Sequence, residues 1–214
     1  MSTAKSPIQD TVQKSRALAG IAENGHVYQI GLTATNGAGV SGRGFNSVGI
    51  KKASVFPGFC AKHDSSLFQS FEAGNGDLIK SDFLLLAYRS VCQELFKKER
   101  AAFVYSHPEF RKEASTTGAL EFTQAHLRGT EMALVDLKRT KAKLLLAIHR
   151  QDFSSLWGAS FVMHSPLPFT FSTSFAPEFS WDGSLILPSP NSEWNSVFCF
   201  AGHVKGKTLY CSAG

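Results

Sequence analysis

Between Ser81 and Gln151 the apolar residues fall into two long helical stripes, and after Leu156 the period drops to two. That switch constrains the fold more than any other feature of the chain. In the first stripe Leu84, Tyr88, Val91 and Leu95 share one face, which Cys92 and Phe96 widen; Cys92 reads as core packing. Lys97, Lys98 and Arg100 suit the negative C-terminal end of a helix dipole, and His107-Pro108 ends the helix or begins a linker. The second stripe runs from about Thr117 to Gln151 and is marked by Leu127, Leu134, Leu137, Leu144 and Ile148. Lys138 to Lys143 face solvent, and Gly129 is a weak point. Two such helices in succession predict an antiparallel hairpin. Beyond them FVMH, FTFSTSF, SLILP, SVFCF and KTLYC are strand-like, broken by Pro166, Pro168, Pro177, Asp182-Gly183 and Lys205-Gly206-Lys207.

Before the helices the pattern is mixed. Residues 1–8 read as a tail, and Thr11 to Ala22 predict a short helix with Val12, Leu18 and Ile21 as its apolar points. Asn24-Gly25 signals a turn and HVYQIGL a strand. The glycine-rich Thr35 to Gly44 (TNGAGVSGRG) predicts a flexible loop. It carries neither Gly-x-Gly-x-x-Gly nor Gly-Lys-Ser/Thr, so a phosphate-cradling loop has little support. SVGIKKASVFPGFCAKHD reads as extended through the Pro57-Gly58 turn signal. A helix from Ser66 to Phe71 follows, capped by Ser66 with Gln69, or equally by Asp64 or Ser65, and closed by Gly74-Asn75-Gly76. The expected fold class is therefore α+β in three parts. A small basic strand/helix module spans 1–76, a long helical hairpin 77–155, and an antiparallel β region 156–214 that forms one compact unit with the helices.

Composition narrows the function classes. Of 214 residues 43% are apolar and 18% charged, the balance of a soluble globular protein. No apolar run reaches the roughly 18 to 20 residues that span a bilayer, and MSTAKSPIQD has no signal-peptide core. A cytoplasmic protein with no membrane partner is expected. Cys60, Cys92, Cys199 and Cys211 are scattered and read as reduced thiols. The net charge of +5 is uneven: residues 1–60 hold six Lys/Arg against Asp10 and Glu23. Lys14, Arg16, Lys51 and Lys52 are the candidate contacts to a polyanion such as nucleic acid.

The most reactive side chains cluster in VFPGFCAKHDSSLF, residues 55–68. Cys60 and His63 stand in a Cys-x-x-His spacing and Asp64 follows at once. At a strand-to-helix corner such a pair can aim two donors at one zinc, but a structural zinc takes four ligands. No second pair is visible, and His26 is the nearest candidate for a third ligand. The other reading is an ordinary corner, with Cys60 a buried small hydrophobe, His63 half exposed and Asp64 a helix N-cap. The remaining histidines stand singly, and no Gly-x-Ser-x-Gly marks a nucleophile. Glu94 with Glu99, or Asp77 with Asp82, fit solvated faces as well as a catalytic pair, so no catalytic residue is assigned.

DTVQKSRALAGIAENGHVYQI, VGIKKASVFPGFCAKHDSSLF, DFLLLAYRSVCQELFKKE and SFAPEFSWDGSLIL together resemble a family of uncharacterised bacterial proteins. The likeness covers roughly residues 8–190. It is strongest in the F-x-G-F-C-x-x-H-D block and includes the aromatic-arginine helix at Ala87-Tyr88-Arg89. The family's order of a Cys pair, a His and then Cys-x-x-His/Cys is similar to the treble-clef zinc module of HNH nucleases. The resemblance implies that Cys60 and His63 are half of a zinc knuckle and that Asp64 sits near a catalytic metal. This chain lacks the Cys pair, and Asp10 falls where the general-base histidine stands. A carboxylate with an ordinary pKa of about 4 accepts a proton from water poorly. The resemblance thus implies a truncated or degenerate copy that binds nucleic acid without cutting it; if enzymatic, it would be a metal-dependent nuclease-like hydrolase. The competing expectation is a non-enzymatic structural or interaction protein without metal, joined to a protein partner or a second copy through β edges.

Overall fold

The structure is a computed structural model of the 214-residue chain. It describes residues 9–10, 18–34, 40–53, 55–56, 58–59, 66–68, 79–154, 158–163, 167–175, 177–180, 182–186, 197–204 and 207–213. The chain divides into two compact units. One comprises Met1–Asp77, Ser160–Ser172 and Phe200–Cys211; the other comprises Leu78–Ala159, Thr173–Cys199 and Ser212–Gly214. The chain combines helix and strand in separate stretches, as the α+β pattern predicts, with a long helix pair and small antiparallel sheets. Among the described residues no helix is long and apolar enough to cross a membrane.

In the first unit, β1 (Gln9–Asp10) pairs antiparallel with β4 (Val55–Phe56), and β2 (His26–Ala34) with β3 (Val40–Gly49). The Asn24-Gly25 signal works as read. Both residues have positive φ, 51° and 75°, and Glu23 and His26 exchange two 2.9 Å backbone hydrogen bonds across them. Positive φ at both central positions is what a right-twisted hairpin needs and what Asn-Gly tolerates. The glycine-rich loop expectation is corrected where it is described: Val40 to Gly44 are strand, Gly42 paired with Thr33 and Gly44 with Gly31. Here the ladder overrides a weak local preference. Glycine also suits the close fit, since a Cβ on Gly31 would lie 2.8 Å from Asn46 Nδ2. Lys51 and Lys52, read as extended, instead occupy a turn over Ile50–Ala53, where the Lys52 and Ala53 N–H groups donate to Gly49 O at 2.8 and 3.1 Å. Ser66 to Phe68 are helical. Phe68 is fully buried and meets the buried Phe59 edge-to-face at 5.3 Å between ring centroids, burial worth roughly 1.5–3 kcal/mol per ring.

The second unit is built on α1 (Lys80–Ser106), α2 (Pro108–Thr116) and α3 (Leu120–Arg150). Asp82 in the first turn of α1 accepts a 2.9 Å hydrogen bond from the Ile79 N–H and sits at the positive end of the dipole. The predicted face is inside: Leu84, Tyr88, Val91, Cys92 and Leu95 are all buried. Burial in fact runs unbroken from Leu84 to Cys92, Arg89 and Ser90 included. The Ser90 hydroxyl is satisfied by donating to Leu86 O at 2.9 Å. His107 is extended because Pro108 forbids it the helical region, and Pro108 then opens α2. That short helix was not read from the sequence. Tyr105 meets His126 while Cys92 feels the charge of Lys141, so α1 and α3 run antiparallel, as expected. Gln151, at φ 53°, ends α3 in a left-handed turn.

A four-stranded sheet has the order β5-β8-β7-β6, from β5 (Gly158–Met163), β6 (Phe171–Phe175), β7 (Val197–Val204) and β8 (Lys207–Ala213). SLILP forms no such strand among its described residues. Leu185 makes an isolated bridge to Phe179 around a turn at Asp182-Gly183. There Asp182 Oδ1 accepts from the Ser180 hydroxyl at 2.6 Å and the Ser184 N–H at 2.9 Å. These bonds hold the exposed carboxyl down at about 2.

Candidate nucleic-acid interface

The β2–β3 ribbon has one face that is bare at its described side chains. Strand side chains alternate, and Val27 is buried while Tyr28 and Ile30 are 71% and 65% exposed. The register places Ile30 opposite Phe45 and Tyr28 opposite Ser47; Phe45 is 72% exposed. His26, exposed on the same face, is paired with Gly49. Its Nδ1 lies 3.0 Å from Asn24 O, and its Nε2 lies 3.8 Å from where a Gly49 Cβ would stand. Three flat rings and one branched side chain thus line a surface open to water.

The basic side chains stand at one end of that surface. Ile50 N–H donates to Gly25 O at 3.0 Å, closing the ribbon beside the Asn24-Gly25 turn. Lys51 and Lys52 follow at once, and both are exposed. Among the described side chains of residues 18–59, Glu23 is the only acid. The remaining candidate residues, Lys14, Arg16, Cys60, His63 and Asp64, lie outside the described residues. Phe59 and Phe68, which bracket the Cys60 block, are both buried. Among the described residues no three His, Cys, Asp or Glu side chains come together as metal ligands would.

Sequence reasoning missed Tyr28, Ile30 and Phe45. The available signal was apolar residues in both phases of HVYQIGL, Val27 in one and Tyr28 and Ile30 in the other. A strand with one buried face needs only one apolar phase.

The other concentration of chemistry is internal to the helical unit. Tyr88 and Cys92, one turn apart on α1, share a side-chain hydrogen bond. Burial pushes the Cys92 thiol up to about 11, against the opposing pull of Lys141 and the hydrogen bond from Tyr88. Burial raises Tyr88 as well, helped by Cys92. A thiol so placed is neutral at pH 7 and a poor nucleophile. Comparison of the chain with protein-family models, curated proteins and solved structures finds no match.

Proposed function

We propose that the protein is a nucleic-acid-binding module of the degenerate HNH, treble-clef-like kind, without nuclease activity. One observation carries the reading: Lys51 and Lys52 stand exposed and adjacent, on a hydrogen-bonded turn, at the end of a ribbon poor in carboxylates. Phosphate backbones are bound mainly by such ammonium groups, which displace condensed counterions. In this reading Lys14 and Arg16 extend the basic surface. Cys60 and His63 are what remains of a zinc knuckle and Asp64 of a catalytic position. Asp10, standing where a histidine base belongs, explains the lack of cleavage.

The test is fluorescence anisotropy with a labelled oligonucleotide across a salt series. Affinity is expected to fall steeply with salt, and the double variant Lys51→Glu/Lys52→Glu to lose most binding and flatten the salt slope by about 2. Binding that ignores salt, or survives the charge reversal, overturns the proposal.

A further inference from the structure

Resting on that reading, we infer that the polymer is single-stranded, and that the β2–β3 ribbon holds it by stacking unpaired bases on Tyr28 and Phe45. Both rings are more than two-thirds exposed, and Ile30 beside Phe45 is exposed as well. Ser47 opposite Tyr28 is too small to cover a ring, and Gly49 opposite His26 has no side chain; Phe45 lies opposite Ile30 and is still 72% exposed. His26 and Tyr28 stand two residues apart on one strand, about 7 Å at a strand's rise. Tyr28 and Phe45 are diagonal neighbours across the pair, again roughly 7 Å apart. That is about twice the ~3.4 Å step of a stacked strand. Bases lying on successive rings must therefore be parted from one another, which an extended single strand allows and a duplex does not.

Charge chooses this occupant over a protein. No described side chain of residues 26–31 or 44–53 is acidic, and the ribbon ends in two ammonium groups. A polyanion with flat, apolar-faced bases complements both features at once. Base stacking on aromatic side chains is tolerant of sequence, so the ribbon selects strandedness and not a base order.

The test compares a labelled oligothymidylate with a duplex of equal length, using the full chain and the variants Tyr28→Ala, Phe45→Ala and Tyr28→Phe. Each alanine variant should bind the single strand about 10-fold more weakly. Duplex binding should stay unchanged, and Tyr28→Phe should retain wild-type affinity because the ring remains. Both side chains point to water, so folding should survive, which far-ultraviolet circular dichroism checks. If the alanine variants bind the single strand normally while Lys51→Glu/Lys52→Glu loses both polymers, the stacking inference is wrong and the nucleic-acid reading stands. If the wild type binds neither polymer at low salt, both are wrong. Loss of self-association in Tyr28→Ala without any polymer binding would reassign the face to a second copy and overturn the inference equally.

Discussion

Cys92 is held away from both water and ionisation, and its environment makes a pH prediction at the scale of a single residue. Its thiol is buried on the inner face of α1, bonded to Tyr88, and raised from about 9 to about 11. Between those values the unfolded chain loses the thiol proton while the folded chain keeps it. A folded pKa above the unfolded one gives stability that is whole below the lower value and fades as pH climbs through the higher. Tyr88 shifts in the same direction and adds to the fade. The urea midpoint of the wild type should therefore fall as pH rises from about 9 to about 11. In Cys92→Val the fall should be shallower, leaving the part that Tyr88 contributes. An identical pH slope in the two proteins would remove Cys92 from the account. Reading Cys92 as core from its place on an apolar stripe was sound. What a stripe does not disclose is that Arg89 and Ser90 are buried beside it, because burial on every side of a helix depends on what else packs there.

The helices were the most legible elements, because a face that repeats over many turns leaves little room for another structure. Leu84, Tyr88, Val91 and Leu95 all went inside. On α3 Leu144 alone of the predicted stripe is buried, Leu127, Leu134, Leu137 and Ile148 are half-buried, and Thr123 and Thr130 are buried beside them. The short α2 was lost because Pro108 reads equally as a stop and as a helix start. Val40 to Gly44 were lost because their strand is fixed by a partner across the hairpin and not by their own residues. Gly129 was legible as a weakness and yields a test of α3. It is exposed in mid-helix, and an added Cβ there meets nothing within 4 Å. Gly129→Ala should stabilise the protein by about 1 kcal/mol, by restricting the unfolded chain and favouring the helix. Chemical denaturation should show a higher midpoint with an unchanged slope; an unmoved midpoint would mean that α3 tolerates a break at this position.

Over the whole molecule the net charge of +5 matters less than where it lies. Charge is legible in a sequence because it does not depend on folding, so Lys51 and Lys52 could be named before their turn was known. The ring-bearing face beside them could not, since exposure of Tyr28 and Phe45 follows from the register of a hairpin. The Cys60 block carries the remaining question, and ligand number decides the expectation. A tetrahedral zinc takes four nitrogen or sulfur donors, while Cys60 and His63 supply two. His26, the nearest third candidate, is exposed on the ribbon with Nδ1 against Asn24 O. Two donors from one corner bind zinc too weakly to survive purification, so metal analysis by mass spectrometry should find well under one zinc per chain. Cys60→Ser should leave that content and the oligonucleotide affinity unchanged if, as proposed above, the lysines and rings act without the ion. A full equivalent of zinc that disappears in Cys60→Ser would show that other residues complete the site. The chain would then be an intact metal module, and assays for strand cleavage with divalent ions would be the next step.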